Sequence, residues 1–478
     1  DNVAFGLYKF MFTDSTWNIQ RGEFGYRKYK PAKLMELFNN VAYINVNHSL
    51  NSFLTRSLQV DSCEKIIQHQ LEKLKEKPHL HDSIEFNISR SSYVFDTEDE
   101  FAIEYKDIIS PEEIQKWHQD LIEIDILNKS TLEKNNETML RAFSLLDEHF
   151  EYSKKENIEF IRDNMALPFT HHSRLGFVYF AQLNNLLRKD VITEAQKNSL
   201  LLSVKSISTK MKSDAYQVKL GKKSLSSFLD IYGHIRAGNY NLSSSNLKNN
   251  LEFTELLVHN SELQDENISL QKVIFSNIDK YFELNNIPYT ASAWVEMFQT
   301  AIATRENSKF YYTKGIDGIL NEIEKYNISD KQLFQRLNIE FNQENTINLD
   351  LKNTLMPDLI SSSDDFYLYE EMSKDGNYIG QGTVSGKVLL LDKYSNQPYD
   401  LDNKIVVIPA ADPGWDWIFN YKIKSLITQY GGPNSHMAIR CAEHNIPAIL
   451  GVGESNFSMI SASQSLSIDF SNESFAIV

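Results

Sequence analysis

The stretch Gly431-Gly432-Pro433-Asn434-Ser435-His436-Met437-Ala438-Ile439-Arg440 constrains this chain more tightly than any other. It lies between two short apolar runs, Ser425-Leu426-Ile427-Thr428 and Ile446-Pro447-Ala448-Ile449-Leu450-Gly451. Two glycines and a proline make a loop, a Ser-His pair ends it, and a helical pattern begins at once. The spacing predicts a strand into Gly431 and a helix over about residues 436–445, with an imidazole at its first turn. Unpaired backbone N–H groups and the positive end of the helix dipole meet there, so an anion carried on the ring is stabilised. A helix-capping or surface histidine is the alternative reading. The Gly-Gly approach and the Ser435 hydroxyl favour a phosphoryl-carrying one.

The surroundings fit a small α/β unit. Val384–Leu391 and Lys404–Pro409 read as buried strands, and Leu466–Phe470 returns as another. A polar join precedes them at Ser361-Ser362-Ser363-Asp364-Asp365 and Asp375-Gly376. From about residue 105 to 355 the periodicity is overwhelmingly helical, and Ser110-Pro111-Glu112-Glu113 is a helix start with its cap and first-turn proline. At 478 residues the chain exceeds one ordinary domain. The expected fold class is α+β and multidomain. A mainly helical domain spans 1–360, with a few strands near 40–100; a linker spans 361–378, and the small α/β domain 379–478.

Four places in the helical part carry polar chemistry. Gln20–Arg27 holds two glycines and two arginines, including Arg21. Tyr43–His48 alternates like a strand and leads to Asn51-Ser52-Phe53; these polar residues are turn formers or line a polar small-molecule site. Leu167–Arg174 reads as a loop entering a helix, with His171 and Arg174. Asp230–Tyr240, punctuated by Gly233 and Gly238, carries His234 and Arg236 and reads as an anion contact or a structural turn. His79-Leu80-His81-Asp82 has metal-ligand types, followed by an alternating strand at 84–88, but ligands packed this closely cannot easily face one ion. No metal site is expected.

Composition removes several classes. A formal charge of -16 argues against nucleic-acid binding. No apolar run approaches the roughly 20 residues of a membrane span, and no signal peptide is visible. Cys63 and Cys441 give no ligand spacing, which fits a reducing cytoplasm.

The Gly431–Gly451 segment resembles the phosphohistidine (swivelling) domain of the phosphoenolpyruvate-utilising family. There G-G-x-[TS]-[SC]-H-A-A-I-x-A-R-x-x-x-I-P-A carries the phosphorylated histidine. Asp412-Pro413-Gly414-Trp415 is similar to a Thr-Asp-Pro-Gly-Trp loop that faces it, with Ala411 in the threonine's place. The family arginine six residues after the histidine is Ala442 here, and Arg440 lies two residues earlier. Tyr232–Tyr240 is similar to Tyr-Gly-His-Leu-Arg-Pro-Gly-Thr-Tyr, with Ala237 and Asn239 departing from it.

The resemblance implies a catalytic His436, with Gly432, Ser435, Arg440, Asp412 and Trp415 around the phosphate. It implies an acceptor-binding helical domain, for which Arg21, Asn51, Ser52, His171, Arg174, His234 and Arg236 are candidates. ATP and Mg2+ are then expected on an ATP-grasp domain N-terminal to Asp1, since no glycine-rich phosphate loop is visible in this chain. No phosphoenolpyruvate-binding barrel is expected. The wording is closest to a subgroup that phosphorylates the side-chain amide of L-glutamine for capsule phosphoramidate, giving AMP and phosphate as by-products. The alternatives are another small-molecule acceptor, such as an antibiotic, and a non-catalytic phosphocarrier fragment docking on a separate kinase subunit.

Overall fold

Helix-period patterning in the first two thirds and short buried strands in the last part separate in three dimensions. In the computed structural model the chain forms two units. The first comprises residues 1–80, 84–206 and 269–351; the second comprises 81–83, 207–268 and 352–478. The structure describes residues 2–28, 34–38, 41–81, 84–146, 149–236, 240, 242, 244–259, 261, 270–326, 376–391, 400–411, 413–431 and 436–478. The expected linker therefore lies outside the described residues except for Gly376–Tyr378. The second unit takes in the helices Ile207–Lys219, Leu225–Tyr232 and Leu251–His259 as well as the strands near the C-terminus.

The first unit is helical around one small hairpin. Its long helices Pro111–Ser144, Leu167–Arg188 and Ala291–Tyr326 pack on one another. Trp117, Tyr179 and Trp294 are fully buried. Buried polar atoms are satisfied in chains: Trp294 Nε1 donates to Gln182 Oε1 at 2.9 Å, and Gln182 Nε2 donates to the Tyr93 carbonyl at 3.2 Å. The hairpin is β1 (Met35–Phe38) and β2 (Val41–Ile44), antiparallel.

Three local expectations are corrected here. The strand expected over Tyr43–His48 stops at Ile44, because Asn45 Oδ1 accepts the His48 amide at 3.0 Å and caps a helix at Val46–Asn51. Ile84–Ile88 is a turn of π-helix, closed by Ser89 N donating to the Ile84 carbonyl at 2.8 Å, and among the described residues no strand pairs with it. Leu167–Arg174 is no loop but the start of the helix Leu167–Arg188. Pro168 sits in its first turn, where the missing N–H breaks no helical bond.

The second unit is built on a mixed seven-stranded sheet. Its strands are β3 (Asn377–Ile379), β4 (Thr383–Leu390), β5 (Ile405–Ala410), β6 (Ser425–Tyr430), β7 (Ala448–Leu450), β8 (Ser465–Asp469) and β9 (Ser474–Ile477), in spatial order β3-β7-β6-β5-β4-β8-β9. β4, β5, β6 and β7 are parallel neighbours, while β3, β8 and β9 close the edges antiparallel. Period-two alternation sorts the side chains to two faces. Val406, Ile408 and Leu426 pack with Met437, Ala438 and Cys441 from the helix His436–Glu443. Ile405, Val407 and Ile427 pack on the other face with Ile460 from the helix Gly453–Ser461. Burial on both faces explains why β5 and β6 read as continuous apolar runs rather than as alternating ones.

Candidate functional site

Parallel strands deliver their following loops to one edge, the carboxyl ends of the strands. β5 ends at Ala410 and β6 at Tyr430, so Ala411 and Gly431 leave adjacent strands on the same side. Two contacts tie them together. Ala411 N donates to the Tyr430 carbonyl at 2.9 Å. Gly431 adopts φ +132°, and a Cβ there would lie 2.4 Å from Ala411 Cβ. Only glycine fits, both for its conformation and for the closeness of its neighbour. His436 is then the first residue of the following eight-residue helix. The amides of that first turn have no intrahelical acceptor and aim out of its N-terminus.

Trp415 and Arg440 support this helix from beneath. Trp415 is 1% exposed and belongs to the core cluster that holds Met437, Ala438 and Cys441. Arg440, one turn after His436, is buried, with its guanidinium 5.7 Å from the Phe419 ring centre. The His444 ring stacks on the same Phe419 at 5.2 Å, and Lys212 of the helix Ile207–Lys219 contacts its Nε2. Phe253 packs edge-on against Trp417 at 4.9 Å. Asp412, Gly432 and Ser435 lie outside the described residues.

The first unit assembles four of the sequence candidates into one cluster. The helix Thr16–Phe24 carries Arg21 and ends at Gly25, whose φ of +120° turns the chain so that Tyr26 enters the core. Arg21 Nε donates to Ser52 Oγ at 3.4 Å and Nη1 to Gln20 Oε1 at 2.8 Å. Its guanidinium lies 4.4 Å from the Phe53 ring centre. Arg174, 2% exposed, lies 5.0 Å from the same ring. Its Nε donates to Tyr26 Oη at 3.1 Å, Nη1 to Glu85 at 2.9 Å and Nη2 to the Ser91 carbonyl at 2.8 Å. His171 Nε2 meets Glu23 Oε2 at 3.0 Å, and its ring stacks on Phe24.

Burial sets the charge states. Desolvation, and then the positive charge of Arg174, push Arg21 down to about 10, against the pull of Glu85. Desolvation lowers His171 in spite of its bond to Glu23, and Arg21 adds to the lowering. His172, buried beside it, is pushed down to about 4 by desolvation first and His171 second.

The other candidates stand apart from this cluster. Asn51 Nδ2 is engaged within its own helix, on the Asn47 carbonyl and side chain. His234 and Arg236 belong to the second unit, where Arg236 is buried, its Nη1 donates to the Ser244 carbonyl at 2.6 Å, and it bridges to Asn246. Sequence reasoning missed Gln20, Glu23, Phe53 and Glu85 as members of the cluster. The first three lie within or beside segments it singled out, but Glu85 sits where it expected a strand, and no local pattern ties it to Arg174.

Residues 401–473 match the family described as PEP-utilising enzyme, mobile domain. Two curated proteins align over stretches of similar length. Rifampicin phosphotransferase of Bacillus cereus is 32% identical over 74 residues, 16% of this chain and 8% of that protein. Phosphoenolpyruvate synthase of Helicobacter pylori is 32% identical over 83 residues, 17% of this chain and 10% of that protein. The chain thus matches only about a tenth of either relative's length.

Proposed function

We infer, from the premise that its mobile domain makes this chain a member of the PEP-utilising family, that His436 carries a phosphoryl group from ATP to a small-molecule acceptor. The observation that carries the reading is the placement of His436 at a helix start, on the strand-end edge where the 411–412 loop also arrives. A neutral imidazole nitrogen is the nucleophile, and the first-turn amides, which cost no reorganisation, stabilise the charge on the phosphoryl oxygens. Gly431 lets Ala411 pack directly against the end of the strand that leads to His436. Trp415 packs in the core with Met437, Ala438 and Cys441, and Arg440 reaches Phe419, so both fix the helix that begins at His436.

In net terms ATP, water and acceptor give AMP, phosphate and phosphorylated acceptor. Among the described residues no group of three His, Cys, Asp or Glu side chains is arranged to hold a metal ion, so no step is assigned to Mg2+ here. ATP and Mg2+ belong, in this reading, to an ATP-grasp domain of the same protein, and the acceptor to the first unit. L-Glutamine, phosphorylated on its amide nitrogen, is the favoured acceptor on the resemblance of the Gln20–Tyr26, Asn51–Phe53 and Ser435–Cys441 segments to the glutamine-phosphorylating subgroup.

The full-length protein incubated with [β-³²P]ATP is expected to gain an acid-labile, base-stable label that His436→Gln abolishes. Label persisting in that variant sinks the reading. Label passed to another protein, with none reaching a small molecule, replaces the enzyme by a phosphocarrier.

A further inference from the structure

Arg21 is a half-buried cation with unfinished hydrogen bonding. A guanidinium has five N–H donors, and two are used, on Ser52 and Gln20. Among the described residues the other three meet no acceptor, and no carboxylate lies within ion-pair reach. The half-buried carboxylate of the cluster, Glu85, is taken by Arg174. Glu23 is held by His171 and is more than half exposed. A second deficit lies beside the first. Gln20 is 1% exposed, its oxygen accepts from Arg21, and the Nε2 of the same carboxamide is enclosed with no partner among the described residues. A buried donor left unpaired, as Gln20 Nε2 is, costs about 1–3 kcal/mol, so proteins retain one where something else completes it.

The geometry around Arg21 selects the missing group. Phe53, 2% exposed, supports the guanidinium face at 4.4 Å, which leaves the planar N–H edge as the binding surface. That edge matches the two oxygens of a carboxylate. Arg174 on the same ring is already neutralised, so the cluster calls for a single negative charge rather than two.

We propose that Arg21 anchors the carboxylate of a small organic acid or amino acid in the first unit, with Gln20 and Ser52 fixing the guanidinium in its fork orientation. The proposal rests on the reading of this unit as the acceptor-binding part, and it names the handle by which the acceptor is held.

Calorimetric titration of the whole chain with L-glutamine, L-glutamate, succinate, L-glutaminamide and inorganic phosphate tests it. At least one carboxylate is expected to bind. If L-glutamine does, L-glutaminamide, which lacks the carboxylate, binds at least about tenfold more weakly. Arg21→Met weakens the carboxylate at least about tenfold, and Arg21→Lys, which keeps the charge but not the fork, falls between. Should Arg21→Met melt early, the Arg21→Lys titration and the carboxylate–carboxamide pair on the unaltered chain decide. Failure of every carboxylate to bind, equal affinity in the arginine variants, or binding of phosphate alone overturns the proposal. His436→Gln separates the two readings. Carboxylate affinity in a protein whose label persists in that variant, or whose unaltered chain never labels, removes only the phosphotransfer reading. Labelling with carboxylate affinity indifferent to Arg21 removes only this one.

Discussion

The two candidate sites are made in opposite ways. In the second unit the edge around His436 is made from backbone: strand ends, a glycine at φ +132°, and the start of a helix. In the first unit the cluster around Phe53 is made from long side chains on distant segments. Arg174 reaches Tyr26 across 148 residues and Glu85 across 89, and Arg21 reaches Ser52 across 31. The difference suits the chemistry proposed for each. A carrier histidine must present the same group to two partners, and fixed amides do so from one short segment. An acceptor pocket must distinguish one molecule from others, which takes several side chains converging from different directions.

Three perturbations sharpen or break that contrast. The largest effect is expected from Arg174→Met, which leaves Glu85 without its ion-pair partner and removes the hydrogen bonds to Tyr26 and the Ser91 carbonyl. Breaking one partner of a buried, hydrogen-bonded charge costs about 3–5 kcal/mol. Urea denaturation measures the loss, and hydrogen exchange is expected to confine it to peptides of the first unit. Equal loss of protection across 405–450 would show that the cluster and the sheet are not separate constructions.

A similar effect is expected from acid. His172 is neutral in the folded protein, with its affinity for protons lowered from 6.5 to about 4, so the unfolded chain binds the proton more readily. Its contribution to stability is therefore complete above about pH 6.5 and is lost as pH falls toward 4, a total of about 3 kcal/mol. His171, lowered in the same direction, adds to the slope. Denaturant midpoints taken between pH 7 and 4 check this, and His172→Phe should flatten the curve over that interval. An unchanged slope in the variant would place the acid sensitivity elsewhere.

The smallest effect on stability is expected from Gly431→Ala. A left-handed conformation and the close approach to Ala411 together cost about 2 kcal/mol. Because this cost falls on the join between the two loops, phosphoryl labelling at His436 should drop by more than the stability loss accounts for. Labelling and stability falling in step would mean that the close approach serves folding alone.

Legibility followed the same division. The strand–loop–helix around His436 could be read from Leu426, Gly431 and Ile449, because strand burial, glycine geometry and helix initiation are all encoded within a few residues. The helix starts at Ser110-Pro111 and the strands near 384–391, 404–409 and 466–470 emerge for the same reason. Short apolar runs were less decisive. Ile84–Ile88 and Tyr43–His48 alternate like strands, yet a strand needs a neighbour to pair with, and a capping asparagine or an i+5 backbone bond took its place.

In the first-unit cluster, Arg21, Ser52, His171 and Arg174 were recognisable by residue type and by the punctuation around them, but nothing local distinguished them from Asn51, His234 or Arg236. The sequence by itself determined the helix at His436 and the glycine at the end of the strand before it, since backbone geometry and helix initiation depend on neighbours in the chain. Only the tertiary structure decided that two guanidiniums would share the Phe53 ring, that Glu85 would neutralise one of them, and that Arg21 would be left without a carboxylate. A charged side chain carries its own chemistry in the sequence, but its partner and its solvation are set by what packs around it.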